Sequence, residues 1–123
     1  MLFPCEIVVK RFLPAMRAEI TKELARKEFT QEEIAGLLGL TQAAVSKYLS
    51  GDYGKEIKVF EKNQEVREEA RKIANEIADG KLKTRGIIRE TCITCRKFRD
   101  KGRICYLHIR ETPLDKYCEL CKR

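Results

Sequence analysis

At 123 residues the chain has room for one ordinary domain and a small appendage, and with 37% charged residues and no tryptophan its core must be aliphatic and modest. The formal net charge of +7 is uneven, at +1 over residues 1–51, −2 over 52–80 and +8 over 81–123, so the basic excess is C-terminal. There is no apolar run of about 18 residues and no basic, apolar and small-residue order of a secretory signal at the start, which argues against a membrane partner and for a cytoplasmic protein.

Residues 1–29 read as helical. Pro4 suits the first turn of a helix running to about Leu13, and Pro14 interrupts or restarts it because proline lacks the N–H that a helix interior requires. Leu13, Met16, Ile20 and Leu24 recur at three and four residues, the stripe of an amphipathic scaffold helix. Ile7, Val8, Phe12 and Leu13 are more apolar than a short leading helix needs, so this piece is expected to face another subunit. Cys5 stands alone and reads as a small buried residue rather than a ligand.

Residues 30–51, TQEEIAGLLGLTQAAVSKYLSG, specify a local shape. Thr30 with Glu33 three residues on makes a capping box that opens a helix over Gln31 to Leu38. Gly39 can take the left-handed conformation that a tight turn demands; Thr41 then caps a second helix to about Ser50, which Gly51 ends. Ile34, Leu38, Leu40, Val45 and Tyr48 are spaced to converge inside the corner, with Ala35 small enough for a close crossing. Thr41, Gln42, Ala43, Ser46, Lys47 and Ser50 are left facing outward. Such side chains suit a major groove: glutamine bonds adenine edges, the alanine methyl meets a thymine methyl, and lysine reaches guanine or phosphate. Gln31 is placed to bond a phosphate.

Gln31, Ala35, Gly39, Thr41, Val45, Ser46 and the closing Tyr48-Leu49-Ser50-Gly51 resemble the Cro/Xre class of helix-turn-helix transcription regulators. In that class the second helix reads double-stranded DNA, a role the resemblance implies for Gln42, Ala43, Ser46 and Lys47. The opening Pro4-Cys5-Glu6-Ile7-Val8-Val9 before Leu13-Pro14 is similar to an archaeal branch of Xre-type regulators. Some members of that branch carry a thiamine-phosphate synthase domain after the reading head, for which this chain has no room.

Residues 52–58 are polar and read as a linker. Residues 60–79 are helical again, with Val66, Ala70, Ile73 and Ile77 on one face and Gly80 as the stop. That face either closes the N-terminal bundle or pairs with its twin in a homodimer, which regulators reading two half-sites would use. After a basic connection at 81–83, Thr84 is placed to cap a helix carrying Ile87, Ile88, Cys92, Cys95 and Phe98.

The tail reads Cys92-x2-Cys95-x9-Cys105-x2-His108-x9-Cys118-x2-Cys121. Two Cys-x2-Cys pairs separated by 22 residues are the usual form of a four-thiolate site, and three-residue spacing on a helix brings two sulfurs to one face. Six potential ligands exceed the four a zinc ion takes. Three readings stand: a structural zinc on Cys92, Cys95, Cys118 and Cys121, with Cys105 and His108 as bystanders; an iron-sulfur cluster, in which Cys105 can take the place of one of the four; or a metal-free thiol switch or disulfides. A metal would supply folding free energy to a tail too short to bury a core.

The expected architecture is all-α, a helix-turn-helix bundle of about five helices followed by a small cysteine-rich, metal-stabilised module; the expected domains are a Xre-like helix-turn-helix DNA-binding domain over residues 1–58, a connecting or dimerisation helix over 59–83 and the cysteine-rich metal or iron-sulfur module over 84–123. The expected function is a dimeric, sequence-specific transcriptional regulator that a zinc or iron-sulfur site stabilises or switches. Its rivals are a zinc-stabilised protein-protein adaptor without a DNA target, and an enzyme pairing a thiolate with His108. Against the enzyme, no second acid or base grouping and no phosphate-cradling glycine loop accompanies that pair.

Overall fold

A computed structural model of the chain describes residues 3–51, 53–54 and 63–102. Every regular element among these residues is helical. In chain order they are α1 (Pro4–Ile7), a π-helical segment (Val8–Phe12), α2 (Leu13–Arg26), α3 (Gln31–Leu38), α4 (Gln42–Ser50), α5 (Gln64–Ala78) and α6 (Thr84–Asp100).

The backbone runs through the first three elements without a break. Phe12 and Leu13 keep right-handed helical dihedrals, and the Leu13 N–H reaches back five residues to the Val8 carbonyl. A wider turn just before Pro14 lets the hydrogen-bond ladder slip past a residue that cannot donate, so the proline re-registers the helix instead of ending it. The helix then closes around Lys27, and Glu28, with φ of 68°, turns the chain towards α3.

α2 is the central element. Met16, Ile20 and Leu24 are fully buried along it, and Leu13 is half-buried, as the three- and four-residue stripe anticipates. The corner of α3 and α4 packs on one side of α2 and α5 on another, while α6 lies against α5 and α3. The polar residues that α2 carries inward are tied locally: Lys22 donates to Glu19 at 3.4 Å, and Arg26 pairs with Glu23.

One expectation about subunit contacts is corrected, and one open alternative is decided in favour of the bundle. Ile7, Val8 and Phe12 lie inside this chain's own core, with the Phe12 ring 5.0 Å from that of Phe98 on α6. Val66, Ala70, Ile73 and Ile77 are likewise buried within the bundle. Each face found a partner in its own chain, since a long-range fold brings α5 and α6 back onto the N-terminal helices. A homodimer cannot use either face without unpacking the core.

α5 also begins later than the 60–79 reading. Asn63 takes an extended conformation and its side-chain oxygen accepts from the Val66 N–H at 3.1 Å, so α5 starts at Gln64; residues 60–62 lie outside the described residues. At its far end Gly80 is left-handed and the Lys81 N–H reaches the Glu76 carbonyl at 2.9 Å, satisfying the helix's last carbonyls.

Candidate nucleic-acid interface and cysteine face

The capping box at the start of α3 is complete. The Glu33 N–H donates to the Thr30 hydroxyl at 3.1 Å, and the Thr30 N–H donates to the Glu33 carboxylate at 3.0 Å. At the other end Gly39 is left-handed, with φ of 65°, and the Leu40 N–H bonds the Ala35 carbonyl at 2.9 Å. This is a Schellman stop, and it hands the chain directly to Thr41, whose hydroxyl accepts from the Ala44 N–H at 3.1 Å to open α4. Gly51, also left-handed, closes α4 by donating to the Lys47 and Tyr48 carbonyls.

Ile34 and Val45 are wholly buried where the two helices meet, with Ala35, Leu38 and Leu40 partly buried against the same core. Tyr48 does not join them; Leu49 does. Val45 and Leu49, four residues apart, form the inward stripe of this short helix, and Tyr48 falls to its flank. There its ring meets Tyr53 edge-on at 6.0 Å, and the Tyr53 hydroxyl accepts from the Lys22 ammonium at 2.6 Å. Burial works against the Lys22 charge, but the hydrogen bond to Tyr53 and the Glu19 carboxylate outweigh it, and the ammonium pKa is raised. Nothing in the spacing of the sequence signals this cluster, which draws on three separate segments.

The outward face of α4 carries Gln42, Ala43, Ser46, Lys47 and Ser50, all exposed, with Thr41 exposed at its cap. These positions recur at one, three and four residues and make one continuous strip opposite Val45 and Leu49. The Ser50 hydroxyl donates to the Lys47 carbonyl at 3.0 Å, which reserves it for the helix end. Gln31 sits half-buried at the first position of α3.

α6 begins differently from the sequence reading. Thr84 is its first residue rather than its cap, and its hydroxyl donates to the Leu37 carbonyl at 3.1 Å. Leu37 lies in the last turn of α3, where carbonyls lack helical partners, so this bond ties α6 to the base of the helix-turn-helix. The exposed Arg85 and Arg89 follow within the next turn and a half.

Further along α6, Cys92 is exposed and Cys95 half-buried. Both line one depression with Val8, Leu13, Arg96 and Arg99, so the three-residue spacing does bring the two sulfurs to a common hollow. Burial pushes the Cys95 thiol up; Arg99 opposes this, and Cys92 and Cys5 reinforce it. Cys5 is therefore neither buried nor remote: it is exposed at the start of the chain, within electrostatic reach of Cys95. The packing of α1 and the π segment against α6 places it there, and the sequence separation hides that.

Two thiols on one helix suit half of a tetrahedral zinc or iron-sulfur ligand set. Cys105, His108, Cys118 and Cys121 lie outside the described residues, and among the described residues no group of three or more ligating side chains is gathered. No described helix is long and apolar enough to cross a membrane. Comparison with protein-family models, with curated proteins and with solved structures finds no match to this chain.

Proposed function

We propose that the protein is a sequence-specific DNA-binding transcriptional regulator of Cro/Xre type, with α4 as its reading helix. The observation that carries this reading is the division of α4 into two faces. Val45 and Leu49 anchor it, while Gln42, Ala43, Ser46 and Lys47 are exposed in a row with no bulky side chain among them. A helix so shaped enters the major groove of double-stranded DNA and meets base edges with groups that can read them. Thr41 and Gln31, at the starts of α4 and α3, would bond phosphates through side chains and backbone N–H groups.

Phosphate affinity needs positive charge, which the first 51 residues supply only to +1. The Thr84 tether supports a source for the rest, because it sets the basic first turns of α6 beside the end of α3. A homodimer would read two half-sites, through a surface other than the two buried apolar faces. A zinc ion or an iron-sulfur cluster held by Cys92 and Cys95 with partners among Cys105, His108, Cys118 and Cys121 would stabilise or switch the molecule.

The test is selection from a random DNA pool with the wild-type chain and with the Gln42→Ala, Lys47→Ala double variant. The wild type should enrich one motif. The variant should lose it with an unchanged melting temperature, since both side chains are exposed; a good bidentate base contact is worth about 1–3 kcal/mol. If the variant enriches the same motif, α4 is not the reading helix. If no motif emerges from the wild type, the adaptor reading takes its place. Metal content and visible absorption of protein purified without oxygen separate iron with sulfide from zinc.

A further inference from the structure

We propose that the groove between α2, the end of α3 and α6 is an effector site for a small amphipathic carboxylate, such as a medium-chain fatty acid. The groove has a volume of about 330 Å³ and is walled by Leu13, Met16 and Ile20 from α2, Leu37 from α3, and Ile87 and Ile88 from α6. That volume falls within the range of about 300–1000 Å³ common to small-molecule pockets. Ile88 is 59% exposed on this wall.

The choice of occupant rests on charge. Arg17 is the one charged side chain lining the groove, it is half-buried, and its guanidinium has no hydrogen bond or ion pair among the described residues. The two hydroxyls on the opposite wall are already donated, Thr84 to the Leu37 carbonyl and Thr91 to the Ile87 carbonyl at 2.8 Å. An apolar slot whose one charged group is an uncommitted guanidinium complements a ligand with an aliphatic body and a carboxylate head. Arginine binds such a head through two parallel hydrogen bonds.

The same groove touches the turn that sets the angle between α3 and α4, since Leu37, Leu38 and Gly39 form part of its lining. A ligand there favours one setting of that turn and of the Thr84 tether, and so biases α4 by its differential affinity for the two settings. This regulatory half rests on the DNA-binding reading; the binding half does not.

Calorimetric titration of the full chain with decanoate and with uncharged decanamide, without DNA, tests the binding half. Decanoate should saturate at one per chain, decanamide should bind at least tenfold more weakly, and Arg17→Met should bring decanoate down to the decanamide level. Ile88→Asp, at an exposed position, should abolish both while the protein still melts cooperatively. Absence of saturable decanoate binding, or equal binding by wild type and Arg17→Met, overturns the proposal. So does a solution dimer that Ile88→Asp splits with no carboxylate bound, which would give the groove to a second copy of the chain. If decanoate binds as expected but leaves the affinity for the selected DNA motif unchanged, the site stands and its link to α4 is refuted.

Discussion

Gly36 and Gly39 lie three residues apart in α3 and its turn, and replacing each with alanine should change stability in opposite directions. A Cβ added at either position meets no heavy atom within 4 Å, so contacts decide neither outcome. Gly36 is exposed inside the helix with no left-handed backbone requirement, and Gly36→Ala should stabilise by about 0.5–1 kcal/mol through the lost freedom of the unfolded chain. Gly39 holds φ of 65° and ψ of 34°, where an L side chain costs about 1–2 kcal/mol. The two variants should therefore differ by about 1.5–3 kcal/mol, or several degrees in melting temperature for a domain of this size. Urea unfolding of the wild type and both variants, analysed with a common slope, measures this directly. Two variants shifted the same way would refute the reasoning: both stabilised would mean that the turn does not depend on a left-handed residue, and both destabilised that Gly36 is not a free helix position. Gly39→Ala should also weaken binding to any selected DNA more than Gly36→Ala does, since it alone strains the joint between α3 and α4.

Two further outcomes follow from α2. The Thr21 hydroxyl is fully buried with no hydrogen-bond partner among the described residues, so Thr21→Val, which keeps the shape and removes the stranded polar group, should raise stability by about 1 kcal/mol; a loss would show that a partner serves the hydroxyl in solution. The raised Lys22 pKa makes a second, pH-dependent case. A pKa raised above the unfolded value of 10.5 adds stability that is complete below that value and is lost as pH climbs through the folded value. The stability advantage of wild type over Lys22→Met should hold from neutrality to about pH 10 and shrink above it; an advantage unchanged at pH 11.5 would mean that Lys22 contributes by packing and not by charge.

How much of this was legible beforehand depends on range. The capping box at Thr30 and Glu33, the left-handed stops at Gly39 and Gly51 and the Thr41 cap all join residues within a few positions of one another, and local stereochemistry dictates them wherever the segment sits. The inward stripe of α2 was equally readable, as was the buried face at Val66, Ala70, Ile73 and Ile77, because helical periodicity sorts apolar from polar residues before any partner is known.

Periodicity does not say what an apolar face will meet. Ile7, Val8 and Phe12 looked free for another subunit until Phe98, 86 positions later than Phe12, closed over them. Cys5 looked solitary until the same packing brought it towards Cys95. Thr84 has the chemistry of a helix cap, yet its hydroxyl goes to a carbonyl 47 residues away because that carbonyl, at the end of α3, had no helical partner. Tyr48 reads as a core residue from its spacing, and the direction from which α2 approaches α4 chose Leu49 instead. The sequence by itself determined the caps and stops of α3 and α4 and which face of each helix is apolar, since those depend on backbone dihedrals and neighbours within a turn. Only the tertiary structure decided which faces pair, which left Gln42, Ala43, Ser46 and Lys47 in solvent and opened a groove beside Arg17, because long-range burial is settled by competition among all the apolar surfaces at once.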